Sequence, residues 1–261
     1  MGDKQGYAIP ADKNPNNLPA ELVFPWDQAA YLVNFAEDLG FGSHVRTRVD
    51  NIRKMLGDPN AVSTVLTAWQ HAVSDLTRAI DGSAEDGIGL ESSNENLKAR
   101  WNGTSRDAAV EYVGRLITVT RNNRTAISDM ATSLNNIGAK VSNAYSQAIV
   151  HISNTAESLL QYEAARQKMW QNIVGVLTGS GLSDTANARS NATEAVATFM
   201  SETGKIAQSV ENYMTDVGGE VDQIITKIGE VEVPAAISFA ALDISGWQPR
   251  NPTGPSWGTP T

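Results

Sequence analysis

The sequence predicts an all-α protein: an elongated antiparallel helical bundle with a helix–turn–helix hairpin at a W-x-G step and a disordered Pro/Gly-rich C-terminal tail. Three observations carry this expectation. Apolar residues recur at three- and four-residue steps through most of residues 26–231. No series of alternating apolar and polar residues marks out strands, so α/β folds with glycine-rich phosphate loops have no footing. Glycine and proline gather between the periodic stretches and at the two ends of the chain.

Residues 1–25 carry Pro10, Pro15, Pro19 and Pro25 among several asparagines, which reads as a flexible, poorly ordered arm. Pro25 suits a helix start, because the first turn does not use its missing N–H. A first helix is expected from Trp26 to about Leu39, closed by Gly40 and Gly42, and a second from about Ser43 to Leu56, closed by GDPN. The third begins near Ala61, where Val62, Val65, Leu66, Trp69, Val73, Leu76 and Ile80 form one stripe. The stretch DGSAEDGIG interrupts it, and a short helix leads through Leu97 to Trp101.

Beyond Gly103 the spacing becomes heptad-like. Ala109, Val113, Leu116, Thr120, Asn123, Ile127, Met130, Leu134, Ile137, Val141, Ala144 and Ala148 alternate by four and three, which favours helices packed near-parallel or antiparallel. A neighbouring stripe through Ile152, Leu159, Trp170 and Leu177 continues without a proline. Spacing leaves open whether one helix spans about 105–177 or a new one begins at Asn154, whose Glu157 three residues later fits a capping pair. GSGLSD at 179–184 reads as a turn, with Ser183 or Asp184 as N-cap of a last helix over about 184–230. Within it, Val196, Phe199, Thr203, Ile206, Val210, Tyr213 and Val217 hold the spacing, and Gly218-Gly219 is expected to bend or loosen the rod. The helical pattern ends near Glu232. VPAAISFAAL at 233–242 reads as an extended strip along the bundle, and the last sixteen residues, with four prolines and three glycines, as disordered. The expected organisation is therefore an arm over 1–25, one bundle over 26–231 and an extended segment with tail over 232–261.

Composition narrows the function. Net charge is -9 and the pI about 4.8, which argues against general nucleic-acid binding. There is no cysteine, so disulfides, thiolate metal sites and cysteine nucleophiles do not enter. His44, His71 and His151 show no metal-ligand spacing, and no serine sits in a nucleophile-elbow context. No catalytic residue, metal or cofactor is assigned, and the expectation is a non-enzymatic protein. The N-terminus lacks the apolar segment of a cleavable signal, so any export is expected to use a route independent of one.

The informative stretch is LKARWNGTSRDAAVEYVGRL, residues 97–116. Glycine reaches the left-handed backbone that ends a helix without strain, so Gly103 is expected just past a last turn. Thr104 then suits the cap of the next helix, and Asp107 its positive end. The chain reverses as an αα-hairpin, with the Trp101 ring wedged at its mouth and Ala108 and Ala109 allowing close approach.

This stretch resembles the WXG100 family and its longer PPE-like relatives, substrates of actinobacterial type VII (ESX) secretion. Their pattern is a helix, a W-x-G turn, and a helix opening with small and aromatic residues, here Ala108 and Tyr112. The likeness covers about 60–155 closely and, as a helical layout, most of the chain. It implies a helical bundle that is cytoplasmic before export and secreted without a cleaved signal. It also implies that Trp101 and Gly103 form half of a recognition surface for the secretion machinery. In that family the other half is a tyrosine followed four residues later by an acidic residue. None of the six tyrosines here has that spacing; Tyr213 and Asp216, three apart on one helix face, come nearest, and a helical partner protein supplying the missing half is the alternative. Larger relatives form rings or act as adaptors, which makes a homo-oligomer one of the implied partners.

Two further readings follow from the residues. Lys98, Arg100, Arg106, Arg115, Arg121 and Arg124 form a basic stretch that suits either an acidic lipid surface or a solvated helix face. The alternatives to a secretion substrate are a membrane-active helical bundle, using the long amphipathic helices and the 233–242 segment, or a leader or adaptor domain for a separate effector. Trp247 and Trp257 in the tail suit a short recognition motif or incidental contacts.

Overall fold

A computed structural model of the chain describes the backbone of residues 6–83, 85, 87–173 and 181–229, and the side chains of these residues apart from 165–173, 181–188 and 229. Among the described residues the fold is all-α, with one 3-10 turn at Ala20–Leu22 and no strand. The helices are α1 (Trp26–Leu39), α2 (Gly42–Met55), α3 (Pro59–Asp81), α4 (Leu90–Arg100), α5 (Thr104–Ile173) and α6 (Gly181–Gly229). No described helix is long and apolar enough to cross a membrane.

Local chemistry explains most boundaries. The Pro25 carbonyl accepts the first bond of α1 from the Ala29 amide at 2.9 Å. At the other end Gly40 turns left-handed, and the amides of Gly40 and Phe41 return to the carbonyls of Glu37 and Ala36 at 3.1 and 2.8 Å, closing a Schellman motif. The α3 helix starts two residues earlier than expected. Asp58 Oδ1 accepts from the amides of Asn60 and Ala61 at 3.0 and 3.1 Å, and Pro59 fills the first helical position. GDPN therefore starts one helix as well as ending another. The long helix α5 runs through Asn154 without a break, so no cap is needed there. Likewise α6 begins at Gly181, which places Ser183 and Asp184 inside the helix instead of at its cap, and it continues through Gly218-Gly219 to Gly229.

The contacts divide the chain into two compact units. The first is formed by Met1–Val62 and Asn136–Asp216, the second by Ser63–Asn135 and Val217–Thr261.

The first unit holds a dense core. Ala29, Leu32, Val33 and Ala36 from α1 meet Val45, Val49 and Ile52 from α2. From α5 come Tyr145, Ala148, Ile149, Ile152 and Leu159, and from α6 Ala192, Val196 and Phe199. The steps of three and four put these residues on one face of each helix, and the alanines let the axes approach closely. The segment before α1 is not a loose arm over its described length. Tyr7 and Phe24 belong to the same core, and the Tyr7 hydroxyl donates to Asp50 Oδ1 at 2.9 Å. Trp26 Nε1 donates to the Lys13 carbonyl at 3.2 Å, and Lys13 pairs with Asp27 at 2.7 Å. These long-range contacts outweigh the turn-forming composition of the segment.

Among its described residues the second unit buries less. Its buried hydrophobic residues among those described are Ile80, Ala109, Ile117, Ala126 and Val217. Of the predicted α3 stripe, Ile80 alone is buried, and Val65 is 40% exposed. Asn94 of α4 is buried with no hydrogen-bond partner for its Oδ1 among the described residues. Residues 232–261 lie outside the described residues, and with them the expected extended strip, the disordered tail, Trp247 and Trp257. Gly179 and Ser180 of the GSGLSD stretch lie outside them too.

Candidate functional site

The residues singled out around position 101 all fall in the second unit. Helix α4 carries no apolar stripe of its own, and its last turn holds Lys98 and Arg100, which suit the negative end of a helix. It stops at Arg100. Trp101 follows in extended geometry (φ -108°, ψ 157°), with its amide bonded to the Leu97 carbonyl at 3.1 Å. Gly103 then takes φ +90°, a region where a side chain is strained. The Gly103 carbonyl accepts from the amides of Arg106 and Asp107 at 3.1 and 3.3 Å.

This corrects the expected division of labour. Gly103 itself occupies the cap of α5, and Thr104 is the first helical residue. The positive φ belongs to the start of the second helix, three residues beyond the end of the first. Asp107 lies in the first turn of α5, as charge–dipole complementarity favours, and Arg106 Nε donates to its carboxylate at 2.9 Å. Trp101, Ala108 and Tyr112 are half-buried, while Gly103, Thr104 and Asp107 are exposed. Trp101 is therefore partly exposed instead of filling a closed core.

Arg121 of α5 pairs with Glu91 of α4, across the turn. The basic stretch is largely neutralised in the same way. Lys98 pairs with Glu95 at 2.8 Å, Arg106 with Asp107, and Arg115 with Glu111. Each of these pairs contributes little stability in water, but together they cancel much of the local charge.

Tyr213 and Asp216 fall in the first unit. The Lys140 ammonium sits 5.9 Å from the centroid of the half-buried Tyr213 ring, and Asp216 is exposed. Sequence reasoning missed the polar cluster around Tyr7, also in the first unit. There an open cleft of about 410 Å³ is lined by Tyr7, Trp26, Arg46, Asp50 and Arg53 among others. Its charges are already engaged: Arg46 pairs with Glu37 at 2.8 Å, and Arg53 approaches Asp50 at 3.7 Å. Burial and the bond to Asp50 push the Tyr7 hydroxyl far above its ordinary range, so it stays protonated and holds the segment before α1, a strap across the first unit's core, in place. No sequence signal short of the fold pairs Tyr7 with Asp50. In a second cleft, Tyr31 donates to Glu163 at 2.8 Å, and burial raises its hydroxyl as well.

No family model, curated protein or solved structure matches the chain.

Proposed function

We propose that this protein is a non-enzymatic type VII secretion substrate, or an assembly component of that system, which acts through helix–helix recognition at the turn over 101–103. The observation that carries the reading is the construction of that turn. A helix ends at Arg100, an indole is held partly exposed beside it, and a glycine with φ +90° starts the next helix at once. We read α4 and the start of α5 as an αα-hairpin. An unreversed helix would separate Glu91 and Arg121 by about 45 Å at 1.5 Å per residue, whereas their side chains pair. On this reading the hairpin presents Trp101 to a partner, with Thr104, Asp107, Ala108 and Tyr112 beside it. Tyr213 and Asp216 are the candidate second half of the signal. The partner is the secretion machinery or a helical protein, including a second copy of this chain, and the destination is outside the cell by a route without a cleaved signal.

The membrane-active alternative has less support, because four of the six cations in the basic stretch are paired with carboxylates. That leaves little free charge to attract acidic lipid.

The test is expression in an actinobacterial host with an intact type VII system and in the same host lacking the system's membrane ATPase. The expected result is protein in the medium of the first culture and retention inside cells of the second. Equal amounts in both media would overturn the proposal.

A further inference from the structure

We propose that the apolar face of α3 is a docking surface for this chain's own segment 233–242, VPAAISFAAL. The inference is independent of the secretion reading and starts from the half-covered stripe. Val62, Val65, Leu66, Trp69, Val73 and Leu76 follow the three- and four-residue steps of a buried helix face, yet none of them is buried. A stripe of this regularity signals a covering element.

Three features select the occupant. The first is tethering. Helix α6 ends at Gly229 in the same compact unit as residues 63–81 of α3, and three residues separate that end from Val233. A segment held on so short a leash has an effective concentration in the millimolar range, far above that of a second copy free in solution. The second is chemistry. Segment 233–242 has no charged residue, and in an extended chain Val233, Ala235, Ile237, Phe239 and Ala241 share one face. Pro234 biases Val233 toward that extended form and disfavours helix. The third is length. Val62 to Ile80 spans about 27 Å of helix, and ten extended residues reach about 33–36 Å. A lipid surface fits less well, since α3 carries Asp75 and Asp81 against one arginine, Arg78, which is paired with Asp75.

The absence of cysteine makes disulfide trapping in the full chain a clean test. Val65→Cys and Val73→Cys are each combined with Ala235→Cys or Ala241→Cys. The control pairs carry the same tail cysteines with Val150→Cys, an exposed site on the first unit. The expected result is an intramolecular disulfide in at least one α3 pair, forming about tenfold faster than in the control, as millimolar proximity implies. The preference of each tail cysteine for position 65 or 73 then gives the direction of docking. Adding Ile237→Asp and Phe239→Asp is expected to return the rate to that of the control. Trapping no faster than the control in all four pairs, trapping unaffected by the aspartates, or disulfides formed only between molecules would each overturn the proposal. The last of these would assign the face to a second copy.

Discussion

The two compact units use similar helices to different ends. In the first, α1, α2 and parts of α5 and α6 place their stripes against one another, and Leu32, Ile52, Ile152, Leu159 and Phe199 are all but removed from water. In the second, an equally regular stripe on α3 stays half-covered, and the buried residues of α5 there include the small Ala109 and Ala126. Periodicity alone does not separate the two, because it reports that a face is apolar and not what covers it. The difference teaches that the first unit covers its apolar faces, whereas the described part of the second leaves apolar surface half-covered. The turn at Trp101 lies in the second.

The largest expected effect sharpens that contrast directly. Leu159→Ala removes a fully buried side chain from the first unit and is expected to cost about 2–5 kcal/mol. Leu66→Ala, from the half-covered stripe of the second, is expected to cost less than about 1 kcal/mol, since part of its surface is already wet. Urea denaturation of the full chain measures both. Equal losses would break the comparison.

Next in size is a pair of glycines within the second unit. Gly103→Ala forces a side chain onto φ +90° and is expected to destabilise by about 1–3 kcal/mol. Gly114 lies inside α5 with open space where a Cβ would point, so Gly114→Ala is expected to stabilise by up to about 1 kcal/mol. Opposite signs from the same substitution would locate the constraint at the turn. A neutral Gly103→Ala would remove it.

The smallest effects concern the tyrosines of the first unit. Tyr7→Phe deletes the bond to Asp50 and is expected to cost about 0.5–1.5 kcal/mol at neutral pH. Burial lifts the Tyr145 hydroxyl from 10.0 to about 12, and burial raises Tyr7 and Tyr31 as well. Above pH 10 the unfolded chain therefore loses these protons before the folded one does. Stability from this source is complete below pH 10 and falls as pH rises through about 12. Denaturation at pH 8, 10 and 11 should show that decline, with a shallower slope for Tyr7→Phe. A flat profile would mean that the hydroxyls are not buried as described.

What was legible in the sequence follows from the range of the forces involved. The first helix is read correctly from Trp26 to Leu39 because its boundaries rest on neighbours, Pro25 before it and Gly40 after it. The start of α3 is misplaced for an equally local reason: Asp58-Pro59 is a start signal inside a stretch taken as a stop. The Trp101–Gly103 break is legible, but the cap is assigned one residue late, since Thr104 is the conventional capping type and Gly103 takes that role with its backbone. The strap through Tyr7 is not legible at all. Its partners Asp50, Arg46 and Trp26 come from distant positions, and local composition favours a loose arm. Half of the candidate site was therefore written in local code. The remainder, including which cations are paired and which stripe is covered, depends on the tertiary fold.

The central claim is that Trp101 is kept partly exposed for recognition and not for stability. The most direct test is the secreted fraction of Trp101→Ala relative to the unaltered chain in a host with an intact type VII system, with far-UV circular dichroism of both purified proteins alongside. The account predicts a fall of about tenfold or more, equivalent to losing about 1.4 kcal/mol of recognition, with the helical signal retained. Secretion of the variant at the level of the unaltered chain would contradict it.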